Sequence, residues 1–224
     1  MRHLICNQDN LLLYLEVYAN MKVYSYVISR DFGFAPNPFY GICTLATCKP
    51  LIRKHCCVGD YVIGISPLDK GRGNKLVMLM RVTEVTTFDE YWSNPRFECK
   101  KPVMNGSLMK LYGDNIYHHD EQGNWIQEDS HHTNADGTPN PKNLKRDTGT
   151  TDRVLISADY YYLGKNCISL PPALLEEIKV RRNHRRVNEA IIPDLIDFVE
   201  SNCPEKGYLG EPHKFNTFKR YNGK

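Results

Sequence analysis

Four short segments rich in β-branched and aromatic residues constrain the fold of this chain more than any other feature. They are KVYSYVIS (22–29), VGDYVIGIS (58–66), KLVMLMRVTEV (75–85) and DRVLISADYYYLG (152–164), and their composition is typical of buried strands. A glycine-rich connection, DKGRGNK, lies between the second and third segments, so we expect these two to pair as a hairpin with a long loop. The sequence therefore predicts a fold built on a sheet of short strands.

Helical patterns occur between and after the predicted strands. Thr87 is placed to cap a short helix, TFDEYW. LPPALLEEIKVRRNHRR (170–186) opens with prolines and becomes strongly basic, and AIIPDLIDFVESN (190–202) is amphipathic with a proline near its first turn. We expect a helix in each of these segments. Together with the strands, they indicate an α+β fold.

The chain is polar from residue 100 to residue 150, with only short apolar stretches. Loops of this length are uncommon inside a compact domain, and they usually carry function or are disordered. The tyrosine and tryptophan side chains of this region favour order, because burial stabilises large aromatic rings. We therefore expect WIQEDSHHT (125–133) to fold back on SRDFGFAPNP (29–38) and RDTGTTDR (146–153), forming one polar pocket with aromatic walls.

Composition bears on compartment and partners. The 29 basic and 26 acidic side chains nearly balance, so attraction to nucleic acid must come from a local patch. Eight cysteines without a CxxC pair lack zinc-ribbon spacing and predict reduced thiols in a cytoplasm. The apolar run LLLYLEVY is too short to span a bilayer, so we expect no membrane partner. Met21 directly precedes the first strand, and residues 1–20 are expected to be an N-terminal extension.

Seven motifs occur along the chain in an order that resembles one family. They are SRDFGFAPNPFYG, CTLATCKP, EYWSNPRF, GDNIYHHD, WIQEDSHHT, NLKRDTGTTDRVLIS and YYYLG. This set resembles the second nucleotide-modification-associated domain family of bacteria and their phages, which genomic context associates with modified DNA bases. The resemblance implies a setting for the chemistry without defining a reaction. It predicts that residues 21–164 form that domain and that residues 165–224 are a C-terminal helical extension with a basic patch.

The stretch from Gly59 to Phe97 carries a second resemblance. A Gly-Asp turn, a buried strand, a glycine-rich loop, a second strand and an aromatic-acidic helix are similar to the core of PUA-like β-barrels, including the EVE, ASCH and YTH groups. Such barrels often hold a nucleobase in a pocket. The resemblance implies a curved, PUA-like sheet or partial barrel with peripheral helices. An ordinary hairpin would account for the same pattern.

Two adjacent pairs of histidines lie in the polar region. If a pair is extended, its side chains point to opposite faces, so at most one from each pair is expected in a shared site. We predict His131, Asp129, His118 and Asp152 as catalytic groups, because imidazole titrates near neutrality and a carboxylate can fix its tautomer. No cofactor is predicted without HExxH or CxxC spacing, although the cluster is compatible with a divalent metal. Alternatively, Asp129 and Ser130 cap a turn while the histidines bond to the backbone.

Other polar residues are candidates for substrate binding. Asn37 could pair with an amide-like base edge, and Arg30 with a phosphate. Cys43 or Cys48 would serve as a nucleophile only with a base beside it, and is otherwise a buried structural cysteine. The predicted substrate-binding residues are Arg30, Asp31, Asn37, Thr44, Lys49, Tyr117, Trp125, Ser130, His132, Asp147, Thr148 and Arg153.

The basic segment KVRRNHRR (179–186) supplies candidates for nucleic-acid contacts. Arg181, Arg182, Arg185 and Arg186 are predicted to bind phosphates, although cations at a helix end also suit the helix dipole.

Three functions stay open for this chain. The preferred one is recognition, with processing as an option, of a modified base or nucleotide. The second is a hydrolase that uses His and Asp acid–base chemistry, and the third is a nucleotide-binding protein without duplex contact. Modified DNA or a nucleotide is the expected partner. The sequence leaves the oligomeric state open, a homodimer included.

Overall fold

The structure is a computed structural model that describes residues 21–68, 73–180, 183–221 and 223. The expected N-terminal extension, residues 1–20, lies outside the described residues, and so do Arg181 and Arg182. All the cysteines in the described ranges are free thiols. No helix in these ranges is long and apolar enough to cross a membrane.

A six-stranded mixed sheet lies at the centre of the molecule. Its strands are β1 (Val23–Val27), β3 (Tyr61–Ile65), β4 (Leu76–Arg81), β9 (Asp159–Tyr162), β10 (His184–Val187) and β11 (Gly207–Tyr208). Their order across the sheet is β10-β1-β3-β4-β9-β11. β1 is parallel to β3 and β11 is parallel to β9, whereas the other neighbours are antiparallel. The hairpin expected between the second and third strand segments is thus present as β3 and β4.

Two smaller sheets accompany the central one. The first contains β2 (Cys43–Leu45), β5 (Glu84–Thr87) and β8 (Arg153–Ser157) in the antiparallel order β2-β8-β5. The second is a hairpin of β6 (Tyr117–His119) and β7 (Trp125–Gln127). This hairpin lies in the polar region, which also contains helices and is therefore ordered.

Six helices surround the sheets in the described part of the chain. They are α1 (Pro50–His55), α2 (Phe88–Ser93), α3 (Leu108–Leu111), α4 (Pro141–Thr148), α5 (Pro172–Ile178) and α6 (Ile192–Asn202). The predicted cap of α2 is present, because the Thr87 hydroxyl accepts the Glu90 N–H at 3.2 Å and the Glu90 carboxylate accepts the Thr87 N–H at 3.1 Å. The amphipathic segment expected to follow residue 190 forms α6.

Alternating side chains divide the interior into layers. Ile63 and Ile65 of β3 face one core with α5 and α6, whereas Val62 faces a second core that includes Leu155 of β8. Val154 and Ile156, the neighbours of Leu155, face a third core under α2 and the β6–β7 hairpin. β8, the middle strand of the three-stranded sheet, is therefore buried on both faces, and Val154, Leu155 and Ile156 form a continuous apolar run.

Three secondary-structure predictions are wrong. The segment 75–85 is not one strand, because β4 ends at Arg81 and β5, which begins at Glu84, belongs to a different sheet. The segment 170–186 is not one helix, because α5 ends at Ile178 and the chain then turns through Asn183, whose φ is 60°. Residues 184–187 pair with β1 and cover the edge of the central sheet, an arrangement that local helix signals do not reveal. The segment 152–164 is not one strand either, since a bend after Ser157 sends β8 and β9 into different sheets.

The fold is mixed α/β, with short helices around a mixed sheet. The strands in the described ranges do not close into a barrel, so the PUA-like barrel implied by the second resemblance is not confirmed.

The C-terminal tail, residues 212–221, has no regular structure but crosses the polar region. The Lys214 N–H donates to the Asp31 carbonyl at 2.8 Å, and the Tyr112 hydroxyl donates to the Thr217 carbonyl at 2.9 Å. Phe215 and Phe218 pack against the third core. The tail is thereby fixed over the 125–133 segment.

Candidate active site

Cys48 lies in a sharp turn between β2 and α1. Its φ is 57° and that of Lys49 is 40°, and both values fall in the left-handed region that non-glycine residues seldom adopt. Arg53 of α1 holds this turn by donating from Nε to the Cys48 carbonyl at 2.9 Å. Backbone held in such a conformation is often found at functional sites, so the surroundings of the thiol are informative.

His132 lies between Cys48 and a buried carboxylate. Its Nε2 is 3.8 Å from Cys48 Sγ, and its Nδ1 is 2.8 Å from Asp147 Oδ2. The other oxygen, Asp147 Oδ1, accepts the backbone N–H of Cys48 at 2.9 Å. Thiol, imidazole and carboxylate therefore stand in line, and the carboxylate also fixes the backbone of the residue that carries the thiol.

The Asp147 carboxylate has further donors around it. Tyr117 donates its hydroxyl at 2.9 Å and Arg146 donates from Nε at 2.9 Å, while Arg53 donates to the Asp147 main-chain carbonyl. The Asp147 side chain is 0% exposed and that of His132 is 1% exposed. The hydrogen bonds from Tyr117, Arg146 and the Cys48 backbone stabilise the charged form of the carboxylate. Asp147 is therefore ionised and orients the imidazole.

Electrostatics favours an ion pair between the thiol and the imidazole. Burial alone would raise the pKa of the Cys48 thiol, but His132 and Arg146 lower the pKa below its ordinary value. Burial alone would lower the pKa of His132, but Asp147 and Cys48 raise it. Burial opposes ionisation of Asp147 as well, yet His132 and Arg146 hold its pKa well below the usual range. The arrangement therefore stabilises a thiolate beside an imidazolium.

A cavity of 470 Å³ opens beside the thiol. Three cationic side chains line it, those of Arg30, Lys49 and Arg146, and none of the described lining residues is acidic. Tyr221 of the C-terminal tail forms one wall, where the Arg30 guanidinium lies 4.1 Å from the centre of its ring. The other lining residues are Tyr26, Val27, Ile28, Ser29, Phe34, Ala35, Cys48, His131, His132 and Asn183.

A family comparison bears on this site. The chain matches the family model described as nucleotide modification associated domain 2 over residues 20–219. It belongs to the nucleotide modification associated domain 2 family. The family that the seven motifs resemble is thereby confirmed, and the match extends through residues 165–219, beyond the segment that carries those motifs. Neither the curated proteins nor the solved structures contain a match to this chain.

In this member of the nucleotide modification associated domain 2 family, both histidines of the second pair line the cavity. The expectation that only one would do so is wrong, because residues 130–133 form a turn instead of an extended strand. His131 is buried, and its Nδ1 donates to the Lys219 carbonyl. Burial, reinforced by the charge of His132, lowers the pKa of His131 to about 3. His131 is therefore neutral at physiological pH.

The predicted acidic partners of His131 lie elsewhere. Asp129 is paired with Arg220 of the tail and accepts the Thr133 hydroxyl at 2.9 Å. Asp152 is exposed at the start of β8 and offers its main-chain carbonyl to Phe88. Neither residue lines the cavity. The alternative that Asp129 stabilises a turn describes its contacts better than an acid–base role does.

The first histidine pair lies on the β6–β7 hairpin, outside the cavity. His118 stacks on Trp92 with ring centres 4.1 Å apart, and its Nε2 is 2.8 Å from Glu128. Trp125 packs against Phe88 at 5.7 Å. These residues fasten the hairpin to α2, which is a structural role.

Several predicted binding residues belong to buried networks away from the thiol. Asn37 accepts from the buried ammonium of Lys100 at 2.7 Å, and Thr44 donates to the buried Asp114 at 2.6 Å. Tyr162 donates its hydroxyl to Asp31. These contacts hold the chain between β1 and β2 in place, so the residues support the cavity without lining it.

The remaining predicted residues lie near the site. Ser130 is buried and accepts the His132 N–H at 3.3 Å. Thr148 bonds back to the Leu144 carbonyl within α4, and Arg153 donates to the Cys56 carbonyl at 2.5 Å. Of the predicted binding residues, Arg30, Lys49 and His132 line the cavity, whereas Tyr117, Ser130 and Asp147 stand behind it.

Several lining residues were not predicted from the sequence, among them Tyr26, Phe34, Arg146 and Tyr221. Arg146 precedes Asp147 in a motif that had already been singled out, so that motif contained the signal. No sequence pattern indicates Tyr221, because it lines the cavity only through the path of the folded tail.

Cys48, His132 and Asp147 could together hold a metal ion, in keeping with the divalent metal that the sequence left open. A thiolate and an imidazole suit a borderline ion such as zinc. However, the two His132 nitrogens face different partners, Nδ1 the carboxylate and Nε2 the thiol. One ion meets a single imidazole nitrogen, so coordination by all three residues would require Asp147 or Cys48 to leave its present contact with His132.

The neutral state of His131 predicts acid sensitivity. Its pKa is about 3 in the folded protein and 6.5 ordinarily, so between these values only the unfolded chain binds the proton. This contribution to stability is complete above the ordinary pKa and falls by about 1.4 kcal/mol per pH unit as the pH drops. The variant His131→Asn removes the titration but keeps an amide donor for Lys219. The wild type should exceed His131→Asn in its free energy of unfolding, measured with urea, by less at about pH 4 than at about pH 7. A pH-independent difference would contradict this expectation.

Proposed function

We propose that this chain is a thiol-dependent enzyme that transfers or hydrolyses an acyl group on a nucleotide or modified nucleotide. The observation that carries the proposal is the in-line placement of Cys48, His132 and Asp147 beside the cavity. Thiol, imidazole and an orienting side chain form the constellation of cysteine-based acyl transfer.

Each side chain has one role in the reaction. The Cys48 thiolate attacks the carbonyl carbon and forms a C–S bond, while the carbonyl π electrons move to oxygen. When the carbonyl re-forms, the bond to the leaving amine or alcohol breaks and His132 gives that group its Nε2 proton. Water then attacks the thioester, His132 removes a water proton, and Cys48 leaves as the thiolate. Asp147 holds the imidazole through Nδ1 and stays ionised throughout.

The cavity supports an anionic, partly aromatic substrate. Arg30, Lys49 and Arg146 supply positive charge for a phosphate. Phe34 and Tyr221 supply rings on which a base can stack. The volume of 470 Å³ lies within the range of about 300–1,000 Å³ that is usual for small-molecule sites. The family setting in nucleotide modification favours the same substrate class.

This proposal replaces one interpretation of the sequence and keeps others. Acid–base hydrolysis through His131 and Asp152 is set aside, since a pKa of about 3 makes the first a weak base and the second lies outside the cavity. In this proposal, the same cavity recognises the modified base and thereby determines which substrate reacts. A cytoplasmic location remains a prediction, and the oligomeric state stays open.

Alkylation by iodoacetamide tests the thiol. We expect Cys48 to be modified at neutral pH faster than the exposed Cys57, even though Cys48 is less accessible, because its thiolate is stabilised. The variant His132→Gln should slow modification of Cys48 by about tenfold or more, since burial then opposes ionisation without a counter-charge. Peptide mass spectrometry follows both cysteines in one sample. Modification of Cys57 before Cys48, with no effect of His132→Gln, would overturn the thiol assignment.

The charge of the cavity can be measured with a second reagent. Iodoacetate alkylates a thiolate with loss of iodide, as iodoacetamide does, but it carries a negative charge. The rate with iodoacetate divided by the rate with iodoacetamide therefore reports the electrostatic potential at the sulfur. We expect this ratio to be about tenfold higher at Cys48 than at Cys57, and to fall in Arg30→Ala and on addition of adenosine monophosphate. Arg96→Ala is the matched control, because Arg96 is an exposed arginine that does not line the cavity. Equal ratios at both cysteines would contradict an anionic substrate.

Zinc provides the competing outcome. If the three residues form a metal centre, stoichiometric zinc should bind with submicromolar affinity and protect Cys48 from iodoacetamide. We expect weak binding at most and persistent alkylation, since the imidazole already has a partner at each nitrogen.

A further inference from the structure

We propose that the surface formed by β10 and α1 beside the cavity binds the sugar–phosphate backbone of a nucleic acid strand. The inference rests on the proposed function and specifies its substrate: the nucleotide would enter the cavity as part of a polynucleotide.

The pairing of β10 with β1 decides which basic side chains face the cavity. Arg186 is opposite Tyr24 and His184 is opposite Tyr26, and directly opposed residues of an antiparallel pair lie on one face of the sheet. Tyr26 lines the cavity, so Arg186 and His184 are on the cavity side. Arg185 lies between them in sequence and faces the other side, where it contacts Glu176 and Glu177 of α5.

Further basic side chains continue this row from the cavity outward. Lys49 lines the cavity and donates from Nζ to the Asn183 carbonyl at 3.3 Å, directly before β10. Burial, followed by the charges of Lys49 and His55, lowers the pKa of His184, so both side chains lie near an imidazole that is neutral at pH 7. Lys22 donates from Nζ to the His55 carbonyl at 3.3 Å. We call Lys22, Lys49, His55, His184 and Arg186 the basic row.

Acidic groups near the basic row leave its charge largely uncompensated. Asp60 is 3% exposed, and its oxygens accept the backbone N–H groups of Lys22 and Cys57 at 2.7 Å each. Glu176 and Glu177 lie on the opposite side of β10, with Arg185. Of the side chains named here, the three cations Lys22, Lys49 and Arg186 outnumber the one buried carboxylate, Asp60, so the cavity side has a net positive charge.

The extent of the row distinguishes a strand from a free nucleotide. Arg30, Lys49 and Arg146 inside the cavity suffice for one phosphate group. Arg186 lies two residues farther along β10 than His184, about 6.6 Å at the rise of a strand. Charge that continues outside the cavity has no partner on a mononucleotide, whereas a polyanion would contact it along its length.

The test is binding of a 5′-fluorescein-labelled single-stranded DNA of about twenty thymidines, followed by anisotropy across a potassium chloride series. The variant Lys22→Ala/Arg186→Ala removes two cations from the row. The matched variant Lys179→Ala/Arg185→Ala removes two cations from the opposite side of β10 and α5. In Lys22→Ala/Arg186→Ala, we expect the negative slope of log affinity against log salt to become shallower by about 1.4, or about 0.7 per lost contact. In the matched variant, the slope should be unchanged. Thermal melting verifies that both variants fold.

Each other result overturns the proposal. Absence of binding by the wild type, equal slopes in both variants, or a loss confined to the matched variant would show that the row binds no strand. Iodoacetamide labelling of wild-type Cys48 separates this failure from failure of the proposed function. Selective labelling without DNA binding refutes the strand alone, and DNA binding without selective labelling refutes the thiol chemistry.

Discussion

Replacing Asp147 with alanine is expected to lower the free energy of unfolding by about 3–5 kcal/mol, because it leaves buried charges without their partner. The carboxylate accepts from His132, Arg146, Tyr117 and the backbone of Cys48. Without it, two cations and two neutral donors lose that acceptor in a site where Asp147 itself is fully buried. Reactivity of Cys48 toward iodoacetamide should fall in the same variant, since the imidazole loses its orientation.

Asp152→Ala is the matched control for this prediction. Asp152 is an exposed carboxylate five residues away, and its main-chain carbonyl accepts the Phe88 N–H at 2.9 Å. Its replacement should change stability by less than about 0.5 kcal/mol, as is usual for surface substitutions. Urea unfolding measures both variants, and melting should shift by about 2–4 °C per kcal/mol for a chain of this size. A mild effect of Asp147→Ala would mean that the carboxylate does not hold the site together.

Removing the C-terminal tail after Glu211 is expected to destabilise the fold by on the order of 5 kcal/mol and to open the cavity. The tail makes hydrogen bonds with His131, Tyr112 and Asn143. Two more partners, Asp129 and Thr133, bond to Arg220. At about 1 kcal/mol per hydrogen bond, these contacts alone give that magnitude. Preferential reactivity of Cys48 with iodoacetate should also fall, because the wall formed by Tyr221 is lost.

The opposite end of the chain supplies the comparison. A chain that starts at Met21 is expected to fold, since the first strand and the family motifs begin there. Calorimetry of the two truncated chains distinguishes the ends: loss of cooperative melting in the chain that starts at Met21, but not in the one that ends at Glu211, would reverse both expectations. Arg220→Ala tests the tail without truncation and should show a smaller loss.

Elements with strong local signals were predictable from the sequence. β1, β3 and β4 follow their β-branched and aromatic composition, and the polar side chain of Thr87 fixes the start of α2. The hairpin followed because a glycine-rich loop lies between two apolar runs. In each case the deciding interactions lie within a few residues of one another.

Features that depend on distant partners were not predictable. β10 is basic and polar, and it is a strand only because the edge of β1 accepts it. Cys48 was recognised as a nucleophile that needs a base, but its base lies 84 residues away in sequence. Asp147 was chosen for its motif, and no local pattern indicates that it accepts the backbone N–H of Cys48 from 99 residues away. The family resemblance marked these motifs as important without saying which of them meet.

The separation of Cys48 from His132 and Asp147 also sets the timing of thiol activation during synthesis. Ribosomes add about 5–20 residues per second, so a nascent chain carries Cys48 for roughly 5–20 s before residue 147 is made. Over that interval the thiol has neither its imidazole nor its carboxylate, and it has the reactivity of an ordinary cysteine. The chain thus leaves the ribosome with a latent nucleophile. Folding then brings His132 and Asp147 to Cys48, and the pKa of the thiol falls only at that stage.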